Sequence, residues 1–374
     1  MSNPTSNSEQ PLRLLVIGAG KLGGYHANIA SQLDGVELVA VADPSAEARA
    51  ALAEKTGAEP VADYREAISR IDAAVVATPT VTHLDVAGEL LAAGKHTLVE
   101  KPLAPSLAEA DKLVRAARQA GVTLQVGHVE RFNPALDAVR EDLADPRFIQ
   151  ATRTSGYTFR STDIGAVLDL MIHDIDLALD LAGSPVVGVE AMGFSVLGDH
   201  EDMVTAQLKF ESGCVAQLTA SRVSYELERR VQVFTDRAFV AVDLNTRKST
   251  VVRPTDEVLE RRFNVAALSS ERKSELMAGL FDELLVRSES ETPAVNAIEE
   301  EQKDFYAAIR EGRSPRVSGE AGRDAVAVAE RILECVEAHR WDGADAGRRG
   351  MFASPAAAVL PMGLPLEGER RRAG

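Results

Sequence analysis

Residues 13–30 read RLLVIGAGKLGGYHANIA, and the reading of this stretch decides the fold. RLLVI is a short strand-like run. Gly18, Gly20 and Gly23 follow it in the order G-x-G-x-x-G, and a helical stretch comes next. A glycine pattern alone says little, but between a strand and a helix each glycine has a mechanical task. Gly18 allows a tight turn, Gly20 lets a diphosphate approach the backbone, and Gly23 lets the helix pack closely. Lys21 and Leu22 then fall on the first helical turn, where unpaired N–H groups and the helix dipole favour a negative group.

Working outward, VELVAVAD (36–43), DAAVVATP (72–79), HTLVE (96–100) and VTLQVG (122–127) repeat the strand pattern. Helical stretches separate them, among them AEARAALAEKTG, HLDVAGELLAAG and SLAEADKLVRAARQAG. This alternation predicts a parallel sheet with helices on both faces. Ser106 and Glu109 form a capping-box pattern that opens one of these helices. Asp43 ends the second strand 20 residues after Gly23, where an acid bonds the adenosine ribose hydroxyls. An acid there repels a 2′-phosphate and no arginine follows immediately, so NAD is favoured over NADP.

Composition sets the outer bounds. The chain has 374 residues, 45% hydrophobic and 26% charged, which suits an ordinary soluble protein of two domains. A net charge of −16 argues against a nucleic-acid partner, since a phosphate backbone demands clustered Lys and Arg. The two cysteines, Cys214 and Cys335, exclude a disulfide framework and a cysteine zinc site, and fit a reducing compartment. The scattered histidines show no ligand spacing, so no metal site is expected. No apolar targeting core opens the chain and no run approaches a membrane span, so a cytoplasmic protein without membrane contact is expected.

The rhythm changes after about residue 150. Several strand-like runs between 186 and 253 follow one another without helices, and KFESGCV reads as a hairpin with Gly213 at positive φ. A mainly antiparallel sheet is expected. Residues 268–289, 295–311 and 319–339 read as helices. The expected organisation is a tail at 1–11, a dinucleotide-binding domain at 12–128, a substrate domain at 129–340 and a disordered tail at 341–374. The last helix is free to pack back on the first domain.

Three further stretches carry chemistry. VVATPTVTHLDVA (75–87) and VEKPLA (99–104) follow strands, so Thr78, Pro79, His83, Glu100 and Lys101 face the cofactor crevice at the strands' carboxyl ends. In VLDLMIHDIDLALDL (167–181) an apolar helix carries Asp169 and His173 four residues apart, one turn and one face. Asp174 and Asp176 fall elsewhere on the wheel and read as structural.

The order G-x-G-x-x-G, TP…H, EKP and D-x-x-x-H, leading into a strand-rich second half, resembles the Gfo/Idh/MocA oxidoreductases over residues 12–340. The resemblance implies a Rossmann domain plus an α/β domain whose large open sheet mediates a homodimer or homotetramer. It also implies NAD(P)-dependent oxidation of a sugar or cyclitol hydroxyl. Lys101, Asp169 and His173 take the family's catalytic places. In such a trio either His173 or Lys101 accepts the hydroxyl proton, and Asp169 orients the pair. GHVERFNPA (127–135), DLMIHDID (169–176) and LTASRVSYELERRVQVF (218–234) resemble the subgroup that oxidises the 3-hydroxyl of UDP-N-acetylglucosamine. A diphosphate needs cations in a chain this acidic, so Arg131, Asn133, Arg160 and Arg222 become candidate substrate contacts. The alternatives are a dehydrogenase of a free sugar or inositol, and a non-catalytic NAD-binding sensor. Two or more arginines in the pocket favour the nucleotide; acids and amides favour the free polyol.

Overall fold

The computed structural model describes residues 10–159 and 164–339. The tail expected at 341–374, most of that at 1–11 and the candidate Arg160 lie outside the described residues.

Six strands form the first sheet: β1 (Leu12–Ile17), β2 (Val36–Ala42), β3 (Glu59–Val61), β4 (Ala73–Val76), β5 (His96–Glu100) and β6 (Leu124–Gly127). Their order is β3-β2-β1-β4-β5-β6 and each neighbouring pair is parallel. Helices α1 (Lys21–Ala30), α2 (Ala46–Thr56), α3 (His83–Ala92) and α4 (Leu107–Ala120) make the connections. Covered on both faces, β1 is a continuous apolar run. Leu14 and Val16 pack into one core cluster, Leu15 and Ile17 into the other. The chain leaves β1 for β2 on one side and returns to β4 on the other. The crevice beyond their carboxyl ends is therefore the switch point where such sheets bind ligands. The short strand β3 is an addition to the sequence reading; three residues are too few to show a pattern.

After β6, helix α5 (Pro134–Asp137) leads into a second sheet of eight strands. These are β7 (Phe148–Thr154), β8 (Val186–Phe194), β9 (Met203–Phe210), β10 (Val215–Ser221), β11 (Glu228–Phe234), β12 (Phe239–Asp243), β13 (Lys248–Pro254) and β14 (Leu285–Glu291). Only β7 and β10 pair in parallel; the other neighbours are antiparallel. Gly213, at φ +86°, turns β9 into β10 as the hairpin reading required. Helices α7 (Asp256–Leu259) and α8 (Ser270–Glu283) precede β14. The single helix expected at 268–289 is thus corrected: it stops at Glu283, and β14 pairs with β13 over seven residues. Its sequence LVRSESE has little intrinsic strand preference, so the pairing comes from the free edge of β13.

The stretch at 167–181 is also not one uniform helix. Val167–Met171 is a π-helical turn, and α6 (Ile172–Ala182) continues from it. Single π turns inside α-helices recur at functional sites. Helix α6 packs on the inner face of the second sheet, where Ile149, Ala151, Val231, Val233, Val240 and Val242 share one core with Ile172 and Ile175. The last two helices, α9 (Ala297–Glu311) and α10 (Gly319–Ala338), return toward the first sheet. Val326 of α10 joins the core of the parallel sheet while Ile332 and Leu333 join that of the second, so one helix ties both together.

Candidate active site

A cavity of about 1260 Å³ opens beyond the carboxyl ends of β1 and β4. That exceeds the roughly 300–1,000 Å³ of a single small-ligand pocket and leaves room for a dinucleotide beside a second ligand. Its wall runs from Gly18, Gly20, Lys21, Leu22 and Asp43 through Thr78 and Pro79 to Glu100 and Lys101. It ends on Glu130, Arg153, Asp169, His173 and Arg229.

At the first end, backbone shape does the work. Gly18 has φ +97°, and a Cβ there would lie 2.4 Å from the Ala77 carbonyl oxygen. A Cβ on Gly23 would lie 1.7 Å from the Gly18 oxygen, so the third glycine packs against the first. Gly20 faces open space and is the N-cap of α1 with no side-chain cap, which leaves the helix N–H groups for an anion. Asp43 steadies the loop: its Oδ2 accepts the Ala19 N–H at 2.7 Å and its Oδ1 the Ser45 N–H at 2.8 Å. An open glycine cradle with an acid at the end of β2 fits the diphosphate and ribose of a dinucleotide.

At the second end, Lys101 reaches across from the first sheet to the π-helical turn. Its Nζ donates to the Asp169 carbonyl at 2.8 Å and to Asp169 Oδ1 at 3.4 Å. Asp169 and His173 both line the cavity, but the hydrogen bonds of Asp169 go to Lys101 and not to His173. The His173 Nδ1 is buried without a partner. Burial, and after it the positive charges of Lys101 and Arg153, hold the ring well below its ordinary pKa, so it is neutral at neutral pH. His128 meets it edge-on, with ring centres 6.2 Å apart, and burial lowers its pKa too. Sequence reasoning passed over His128; only its neighbourhood in space marks it.

Other candidates sit elsewhere. His83 is buried, off the cavity wall, with Nδ1 3.0 Å from the Pro102 carbonyl and Nε2 3.0 Å from that of Thr78. It lies between the TP and EKP loops and touches both, without lining the cavity itself. Arg131 is bound to Asp176 (2.7 Å) and to Asp180, fixing α6 against the turn after β6. Asn133 caps α5 and donates to the Leu244 carbonyl at 3.1 Å. Arg222 bonds Asp202 at 2.6 Å and the Ile164 carbonyl at 2.7 Å, over the Tyr157 ring. None of these three lines the cavity.

Among the described residues, the arginines that line its far end are Arg153 and Arg229, directly opposite each other on β7 and β11. Arg153 grips Asp174 with two bonds of 2.8 and 3.0 Å and Glu130 with one of 2.8 Å. Arg229 lies 3.9 Å from the same Glu130, already committed to Arg153. Asp174 and Asp176 are structural partners, as their wheel positions suggested.

A switch-point crevice, a glycine cradle and a Lys–Asp–His group at its far end define a dinucleotide-dependent oxidoreductase of two sheets. Comparison with known proteins places the class. Residues 12–128 match the profile of the oxidoreductase family with an NAD-binding Rossmann fold, and residues 135–241 match the GFO/IDH/MocA C-terminal domain. The chain is 33% identical over 328 residues to the UDP-N-acetylglucosamine 3-dehydrogenase of Acidithiobacillus ferrooxidans, covering 87% of this chain and 98% of that one. It is 29% identical to the myo-inositol 2-dehydrogenase of Thermotoga maritima, covering 88% and 97%. A solved structure of the Acidithiobacillus ferrooxidans enzyme superposes with a TM-score of 0.78 at 31% identity, over 88% of this chain and 99% of that chain.

The chain belongs to the Gfo/Idh/MocA family of oxidoreductases. It is an NAD(P)-dependent dehydrogenase acting on CH–OH donors. No helix among the described residues is long and apolar enough to cross a membrane.

Proposed function

We propose that the protein oxidises a secondary hydroxyl of a sugar nucleotide, the 3-hydroxyl of UDP-N-acetylglucosamine, to the ketone. Arg229 is the observation that carries this reading. Two arginines directly across a strand pair repel each other; Arg153 holds three bonds to Asp174 and Glu130, whereas Arg229 meets Glu130 only at 3.9 Å, on the oxygen that Arg153 already holds. Arg229 therefore faces the cavity as a cation able to take an anionic group, which a diphosphate offers and a free cyclitol lacks. Identity to the Acidithiobacillus ferrooxidans enzyme supports the same reading.

NAD would be held by the glycine cradle at residues 18–23 and by Asp43, and would supply the acceptor for a hydride from the hydroxyl-bearing carbon. His173, neutral in its cationic surroundings, takes the hydroxyl proton. Lys101 has three N–H donors; two meet Asp169 and the third is left to hydrogen-bond the substrate oxygen as it becomes alkoxide. Asp169 fixes where that donor points. The second sheet's outer face serves a second copy of the chain, giving a homodimer or homotetramer.

The test incubates purified protein with NAD and either UDP-N-acetylglucosamine or myo-inositol, reading NADH absorbance and product mass. A 2-oxo acid in parallel tubes reveals turnover when the cofactor stays bound. A product two hydrogens lighter that keeps its UDP supports the reading. Arg229→Ala then raises KM for the sugar nucleotide about 10- to 100-fold, the worth of a charge-assisted bond. Turnover of myo-inositol with none of the nucleotide assigns the site to a free polyol.

A further inference from the structure

Behind the wall that carries Lys101, three elements bring a histidine and two glutamates together. His26 on α1, Glu100 at the end of β5 and Glu301 on α9 each place one nitrogen or oxygen within 4.8 Å of the others. All three are buried. Partners settle the first two. Tyr306 donates its hydroxyl to Gln302 Oε1 at 2.8 Å, and Gln302 Nε2 donates to His26 Nδ1 at 2.9 Å. His26 Nε2 therefore carries the hydrogen and donates to Glu100 Oε1 at 2.8 Å. The other Glu100 oxygen accepts the Lys101 N–H at 3.2 Å.

Glu301 is different. It is 1% exposed, and neither carboxylate oxygen has a hydrogen-bond partner. Two buried carboxyl groups so close do not both ionise; one keeps a proton. We propose that Glu301 is a positioning residue for Lys101: a neutral carboxylic acid that gives its O–H to Glu100 and so fixes the carboxylate holding the Lys101 backbone. One oxygen of each lies within 4.8 Å of the other, a gap that a single bridging water can span.

The surroundings agree. Burial, then the negative charges of Glu100 and Asp304, raise the Glu301 pKa well above the carboxylate range. Burial works the same way on Glu100, but His26 and Lys101 outweigh it and hold that group low. From α1 the facing group is His26, and from β5 it is Glu100 with Lys101 behind. On the turn at residues 129–132, Glu130 and Arg131 are committed to Arg153 and Asp176. Among the described residues no cation pairs with Glu301.

The role given to Lys101 comes from the proposed function, whereas the deciding measurement needs no substrate. Thermal unfolding of the wild type and Glu301→Gln is compared between about pH 5 and pH 8. From the unfolded carboxyl's value upward until the folded group itself titrates, folding binds a proton at Glu301 in the wild type and none in the variant. The wild-type unfolding constant should therefore rise relative to the variant's by about tenfold per pH unit. The wild type should also show an infrared carboxylic-acid band at neutral pH that Glu301→Gln lacks. In turnover, Glu301→Ala lowers kcat more than it raises KM, and Glu301→Gln recovers most of the loss.

A stability difference that does not change with pH overturns the neutral acid. So does a wild-type melting temperature that falls with a chelator, which would put a metal ion among the three groups. Equal kcat in the Ala and Gln variants overturns the positioning role. If Glu301→Ala does not fold, the pH dependence of the Gln variant decides.

Discussion

At His173 burial and the neighbouring cations act in one direction. Both disfavour the imidazolium, so the ring takes up its proton only well below the ordinary pKa of about 6.5. A base must be neutral, so kcat/KM should be flat through neutral pH and fall only in acid, well below pH 6.5. Lys101→Met removes one of those charges. The His173 pKa, followed by its ring proton resonance, should then rise toward the ordinary value; an unchanged titration would mean that burial alone sets it. Stability follows the same sign. As pH falls below about 6.5 the unfolded ring takes a proton that the folded ring refuses, and the folded state is weakened.

Elements show where local chemistry suffices and where it does not. Ser106 was legible as a cap, and its Oγ accepts the Glu109 N–H at 3.3 Å. The reciprocal bond from the Glu109 side chain is not made, so the capping box is half formed. Ser106→Ala should lose about 1 kcal/mol in denaturant unfolding, while Glu109→Ala should change little. Strand β7 escaped notice because Arg153 occupies an inward position and breaks the apolar alternation. That arginine is tolerated because Asp174 and Glu130 neutralise it inside the sheet. The π-helical turn had no signal either: DLMIHDID has ordinary helix spacing, and the widened turn is met by outside partners. The Val167 N–H goes to Glu201 Oε1 at 3.0 Å and the Asp169 carbonyl to Lys101.

Across the whole molecule, the inner face of the second sheet is filled by α6 and α10, and the outer face is the one proposed above for a second copy of the chain. Phe148, Phe234 and Phe239 form one row there across β7, β11 and β12, with ring centres 6.0 and 4.7 Å apart. Phe234 remains 44% exposed. Phe234→Glu should therefore shift the sedimentation of the purified protein toward monomer; an unchanged oligomer would place the interface elsewhere.

The resemblance of its motifs to a family suggested grouping Lys101 with Asp169 and His173, while the sequence by itself determined the parallel half, the glycine cradle and the place of Asp43. Each depends on short-range rules, a turn that needs glycine or a run that must be buried on both faces, and these are written locally. Tertiary structure alone decided which arginines face the cavity. Arg131 and Arg222 lie in equally suggestive motifs, but buried acids on α6 and at Asp202 claim them. Arg229 stays turned to the cavity because its opposite neighbour has taken the nearest carboxylates. Charge pairing at a few ångströms joins residues tens of positions apart, and no spacing along the chain records which partner wins.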